Sequence, residues 1–169
     1  MHIQMAKTKS AERVEEFNSN SFQSKRKFLN FSWNLKANPK EVFPLLCATK
    51  EADWLQGTTH KLIFTTTGYA EKDYVFKSDY FGLGEEIWVR HEHIVNEYLA
   101  YYRFSSHLLI KFEINLKDNH DNSVKTDWRL TYTSLDKKGN DIIGDLPSEL
   151  NLEPIMKSLQ LYLNKIKTS

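Results

Sequence analysis

The chain has 169 residues, the size of one domain, and a chain of that length buries roughly 70% of the surface exposed when unfolded. With 23 basic and 22 acidic residues the net charge is +1, too weak a field to gather nucleic acid or anionic lipid, so a small neutral partner is expected. The lone Cys47 excludes an internal disulfide, and no stretch has the length of a membrane span or the pattern of a signal peptide, so a cytoplasmic protein is expected.

Residues 1–27 are polar and lysine-rich and read as a tail, which leaves 28–169 as the folded domain. Regular structure is expected from Phe28, where Leu29, Phe31, Trp33 and Leu35 alternate with polar residues as on a strand with one buried face. Asn38-Pro39-Lys40-Glu41 then combines a capping residue, a proline at the first helical position and a carboxylate for the helix dipole. A short helix ending near Cys47 should follow. Thr49 offers a second cap, and Gly57 stands where a left-handed residue closes a second short helix.

From residue 61 to 134 the spacing predicts six strands, at about 61–67, 72–79, 85–94, 97–105, 107–117 and 123–134. The links between them are short, so the sheet should be mostly antiparallel. In the last two strands, Leu108, Ile110, Phe112, Ile114 and Leu116, and Val124, Thr126, Trp128, Leu130 and Tyr132, form one face, with charged residues on the other. The stretch from Lys137 to Asp145 reads as a loop. Beyond it, Asn151 is a plausible cap for a long helix whose residues Leu152, Ile155, Met156, Leu159, Tyr162, Leu163 and Ile166 make one apolar stripe. The order gives an α+β fold in which a curved seven-stranded antiparallel sheet grips the C-terminal helix, with two short helices after strand one.

Here the sequence resembles the START-like (SRPBCC) superfamily with the helix-grip fold, in the branch of polyketide cyclases and chaperone-ATPase activator homologues. The resemblance covers about residues 28–166. It rests on the P-x-x-V-F segment Pro39 to Phe43, the E-x-x-W-x-x-G segment Glu51 to Gly57, Gly68 to Glu71 leading to Val75-Phe76, Ile87-Trp88-Val89, and Thr126-Asp127-Trp128 with Thr131-Tyr132-Thr133. It implies the fold without naming a ligand, since such folds host carriers, receptors, cyclases and chaperone partners.

The chemistry-bearing residues are few. His91-Glu92-His93 puts both imidazoles on one strand face and the carboxylate on the other, so this segment cannot form a three-ligand site, and no metal is expected. Cys47 reads as a buried, inert thiol, and Gly82-Leu83-Gly84 is too short to cradle phosphate. No cofactor is expected. Aromatic residues make up 13% of the chain, enough to line a pocket as well as fill a core. The expected ligand-binding wall is Phe31, Trp33, Trp54, Phe76, Trp88, Tyr102, Phe112, Trp128, Tyr132, Met156, Leu159 and Leu163. Residues 85–94 can be read in either parity. Ile87 and Val89 argue that His91 and His93 point inward, whereas Trp88 argues for Trp88, Arg90 and Glu92. Outside the cavity, Arg90 and Glu92 would pair with Glu113 or Lys111.

The expected function is binding of a small hydrophobic or aromatic molecule, lipid-like or polyketide-like, by a monomer or homodimer. One alternative is a cofactor-independent cyclase, dehydratase or hydrolase using His91, His93, Tyr102 or Arg103 as catalytic groups. The other is a protein-interaction module of the chaperone-activator kind. The sequence favours binding over catalysis.

Overall fold

The computed structural model describes residues 22–79 and 84–168. The tail reading of residues 1–21, and Gly82 and Leu83 of the glycine pair, lie outside the described residues. Seven strands, β1 Arg26–Leu35, β2 Lys61–Phe64, β3 Val75–Asp79, β4 Glu85–Ile94, β5 Tyr98–Phe104, β6 Leu108–Asp118 and β7 Val124–Ser134, form one antiparallel sheet in the order β1-β7-β6-β5-β4-β3-β2. The first strand starts at Arg26, ahead of the expected Phe28, because Ser24 and Lys25 are already tied to Ser134 by hydrogen bonds.

The helix α1, Pro39–Val42, has the reciprocal cap its sequence announces: Glu41 N–H donates to Asn38 Oδ1 at 3.1 Å and Asn38 N–H to Glu41 Oε2 at 2.9 Å. It runs into a 3₁₀ turn, Phe43–Leu46, and then α2, Ala48–Glu51. The expected cap at Thr49 is a correction. Thr49 lies inside α2, Cys47 is the capping position, and its thiol is partly exposed, 3.2 Å from the Thr49 hydroxyl, instead of buried. Gly57 has the left-handed φ of 82° that was expected.

Strands β2 and β3 are shorter than the alternation predicts. Glu71 stops them: its carboxylate accepts from Thr65 Oγ1, Thr66 N–H and Thr67 N–H, which folds 65–74 into a loop and holds the carboxyl below its ordinary pKa. The segment expected as a loop at 137–145 is a helix, α3 Lys137–Asp145, capped by Asp136, whose side chain accepts from Gly139 N–H at 2.8 Å. The final helix, α4 Glu153–Lys167, begins after Leu152, and Asn151 accepts from Glu153 N–H instead of capping the helix itself.

Two apolar clusters fill the grip. The larger joins Leu35, Val42, Leu46, Phe76, Leu99 and Ile114 to Met156, Leu159 and Leu163 of α4, and the smaller joins Leu29, Leu108, Ile110, Leu130 and Tyr132 to Ile143 of α3. Each helix thus covers its own part of one sheet face. Among the described residues no helix is long and apolar enough to cross a membrane.

Candidate functional site

Register places the site. On the inner face Tyr132 pairs with Ile110, Ile110 with Arg103, Arg103 with Trp88, and Trp88 with Phe76, which makes one row across β7, β6, β5, β4 and β3. Beside it runs a second row, Leu29, Leu130, Phe112, Tyr101 and Arg90. Met156, Leu159 and Leu163 are completely buried, so the middle of α4 closes on the sheet. Its first turn does not. Between the two clusters lies a cavity of about 230 Å³, with Trp88, Phe112, Trp128, Leu130, Tyr132 and Arg103 from the sheet facing Leu150, Leu152 and Ile155 around the start of α4, and Glu51, Trp54 and Leu55 closing the side.

Trp54, Leu55 and Ile155 also line a shallow outer groove with Leu161, Tyr162 and Lys165. These three side chains therefore form a wall common to the cavity and the groove. The indoles of Trp54 and Trp128 are fixed: Trp54 Nε1–H donates to the Leu45 carbonyl and Trp128 Nε1–H to Thr126 Oγ1, both at 2.9 Å. With their N–H groups occupied, these rings offer apolar faces to the cavity.

Strand β4 resolves the question of parity by using both. A bulge between Arg90 and Glu92 inserts His91 as an extra residue, so pairing passes from Arg90 with Tyr101 to Glu92 with Ala100 and His93 with Leu99. Trp88 and Arg90 point inward before the bulge, and His93 points inward after it. The shared face expected for His91 and His93 is thereby overturned: His91 lies outside against Tyr102, with ring centroids 5.0 Å apart, while His93 stacks on Phe43 at 5.3 Å. Arg90 is likewise not an outer-surface ion-pair partner. It is buried, donates from Nε and Nη2 to the Tyr101 hydroxyl and from Nη1 to the Ala70 carbonyl, and only Glu92 stays outside, 3.7 Å from Lys72.

Of the expected wall, Trp54, Trp88, Phe112, Trp128 and Tyr132 surround the cavity together with Arg103. Phe31 and Trp33 stack on each other at 6.0 Å beside the core, and Phe76, Met156, Leu159 and Leu163 are completely buried core residues. Tyr102 is on the outer face. Among the acid-base candidates, His91 and Tyr102 are thus outside the sheet and His93 is stacked away from the cavity, which leaves Arg103. Leu130 and Ile155, on the expected apolar faces of sheet and helix, line it too, whereas Glu51, Leu55, Leu150 and Leu152 were missed. Leu150 and Leu152 do carry a signal, since two leucines in a polar linker before a helix need an apolar surface to rest on.

The polar end of the cavity is built around Arg103. Its Nε and Nη2 donate to Glu86 Oε2 at 2.8 and 2.5 Å, and its guanidinium lies 4.8 Å from the Trp88 ring centre. Burial raises the pKa of the Tyr132 hydroxyl, with Arg103 and Glu86 acting on it in opposite directions, so it stays a proton donor at neutral pH. Burial lowers the pKa of His93, and nearby Arg90 lowers it further, which keeps that imidazole neutral. Among the described residues no three His, Cys, Asp or Glu side chains converge as a metal site would require.

Comparison with solved structures decides the frame. A norcoclaurine synthase point mutant from Thalictrum flavum, in complex with a transition-state analogue, superposes with a TM-score of 0.65 at 12% identity, covering 87% of this chain and 99% of the other. Ara h 8.0201 gives 0.59 at 11% identity over 83% and 99%, and an uncharacterised protein from Rhizobium leguminosarum gives 0.54 at 15% identity over 85% and 97%. The chain has the helix-grip, Bet v1/START-like fold. No protein-family model and no curated protein matches the sequence. At such identities the likeness extends to the helix-grip fold and no further, so activity has to be argued from the site.

Proposed function

We propose that this helix-grip domain binds a small hydrophobic or aromatic molecule in the cavity between the sheet and the start of α4. The observation that carries the reading is the cavity wall, where four rings from three strands, Trp88, Phe112, Trp128 and Tyr132, meet Leu152 and Ile155 beside a single ion-paired polar corner. Apolar walls with a few placed polar groups are the general character of ligand pockets. The size restricts the guest. A cavity of about 150 Å³ holds benzene, so 230 Å³ suits one or two fused rings better than an extended lipid.

Binding fits better than acid-base catalysis, because the cavity lining contains neither imidazole nor thiol and its arginine is committed to Glu86. The segments Pro39 to Phe43 and Glu51 to Gly57 support a place near the polyketide-cyclase and chaperone-activator branch of the superfamily.

Native mass spectrometry of freshly purified protein, followed by titration with naphthalene-sized compounds monitored by thermal shift, tests the reading. Retention of a small molecule, or saturable stabilisation growing with ligand concentration, is the expected result. A melting temperature unmoved by every one- and two-ring compound, with no retained molecule, would overturn it.

A further inference from the structure

Resting on the binding reading above, we infer that the ligand class is a neutral one- or two-ring aromatic compound carrying one acceptor oxygen, held by the Tyr132 hydroxyl and Arg103 Nη1. Both groups lie in the same row of the inner face, one on either side of Ile110, and both line the cavity. Arg103 commits Nε and Nη2 to Glu86, and among the described residues neither its Nη1 nor the Tyr132 hydroxyl makes a hydrogen bond. Tyr132 is 9% exposed and lines the cavity. Both donors are therefore open to whatever occupies the cavity. A carbonyl or ether oxygen of a guest supplies the acceptor for both donors.

Charge excludes an anionic guest. Arg103 is already neutralised by Glu86 at 2.5 Å, and Glu51 lies on the opposite side of the same cavity. A carboxylate placed at this corner would compete with Glu86 for an arginine whose charge is already matched. A neutral oxygen has no such penalty. The ring of the guest would lie among Trp88, Phe112 and Trp128, which already meet one another in edge-to-face and tilted contacts.

The test is isothermal titration calorimetry with three two-ring probes of similar size: 2-acetylnaphthalene, 2-ethylnaphthalene and 2-naphthoate. The ketone should bind about tenfold more tightly than the hydrocarbon, the difference expected of one or two net hydrogen bonds, and the naphthoate should bind more weakly than the ketone. Tyr132→Phe keeps the ring and removes the donor, so it should weaken the ketone several-fold more than the hydrocarbon. Arg103→Lys keeps the charge toward Glu86 but removes the planar Nη1, and should have a similar selective effect.

Equal affinity for ketone and hydrocarbon in the native protein and both variants would overturn this inference while leaving the cavity reading intact. Preference for the naphthoate would also overturn it. If none of the three probes binds, the cavity reading falls and this inference with it.

Discussion

Arg90 and Tyr101 face each other across β4 and β5, with the phenol oxygen 2.6 Å from Nη2 and 3.1 Å from Nε and both side chains buried. The pair continues the row that contributes Phe112 and Leu130 to the cavity wall, since Tyr101 is the neighbour of Phe112 in register. A guanidinium this deep depends on its acceptors. Tyr101→Phe keeps the ring and strips away one oxygen that satisfies two N–H groups, so unfolding free energy should fall by about 1–3 kcal/mol. Urea denaturation followed by circular dichroism measures it. An unchanged midpoint would mean that Arg90 finds water or another acceptor at no cost.

Gly139 shows how tightly α3 is pressed against the end of β7 and the turn at His107. A Cβ built there would lie 2.2 Å from the His107 carbonyl oxygen, a backbone atom, whereas at Gly144 of the same helix nothing lies within 4 Å. Gly139→Ala should therefore cost about 1–3 kcal/mol through overpacking. Gly144→Ala should be neutral or stabilising by up to about 1 kcal/mol through helix propensity. Thermal melts of the two variants side by side separate contact from propensity, and equal melting temperatures would contradict this packing.

Acidification should destabilise the fold before the carboxylates begin to titrate. Burial lowers the pKa of His60, which shares a hydrogen bond with the Tyr74 hydroxyl through Nε2 and whose Nδ1 is buried with no hydrogen-bond partner among the described residues. Burial lowers that of His93 as well. The native state therefore resists protonation at both sites. Their stability is full above the unfolded value of 6.5 and is lost as pH falls below it toward the folded values, because the unfolded chain then binds more protons. Melting temperature should decline between about pH 6.5 and 5, and His60→Gln should flatten the decline. A profile level over that interval would refute the assignment.

Ile155 stands between the cavity and the outer groove, so enlarging it should close the site without disturbing the core beneath α4. Ile155→Trp is expected to reduce affinity for two-ring probes at least tenfold. The far-ultraviolet dichroism should stay unchanged. Retained affinity in a folded variant would place the guest elsewhere.

Much of the fold was legible because its signals are local. The alternation of Leu108 to Leu116 and of Val124 to Tyr132 fixes which side chains point inward, and the cap at Asn38 with Glu41 fixes where the first helix starts. The stripe on α4 likewise turns Met156, Leu159 and Leu163 toward the sheet, where they are core instead of the ligand wall expected of them. Helix α3 was not legible, since in nine residues it buries only Gly139 and Ile143, too few to show a period.

The sequence by itself determined the sheet, the gripping helix and the abundance of rings between them, because strand alternation, helix caps and apolar stripes depend on residues near one another in the chain. Only the tertiary structure decided the site. The bulge at His91 arises from the pairing of β4 with β5, and it sends Trp88 and Arg90 inward together with His93. The partnership of Arg103 with Glu86 and its closeness to Tyr132 depend on three strands meeting in register, a relationship between residues far apart in sequence that no local pattern records.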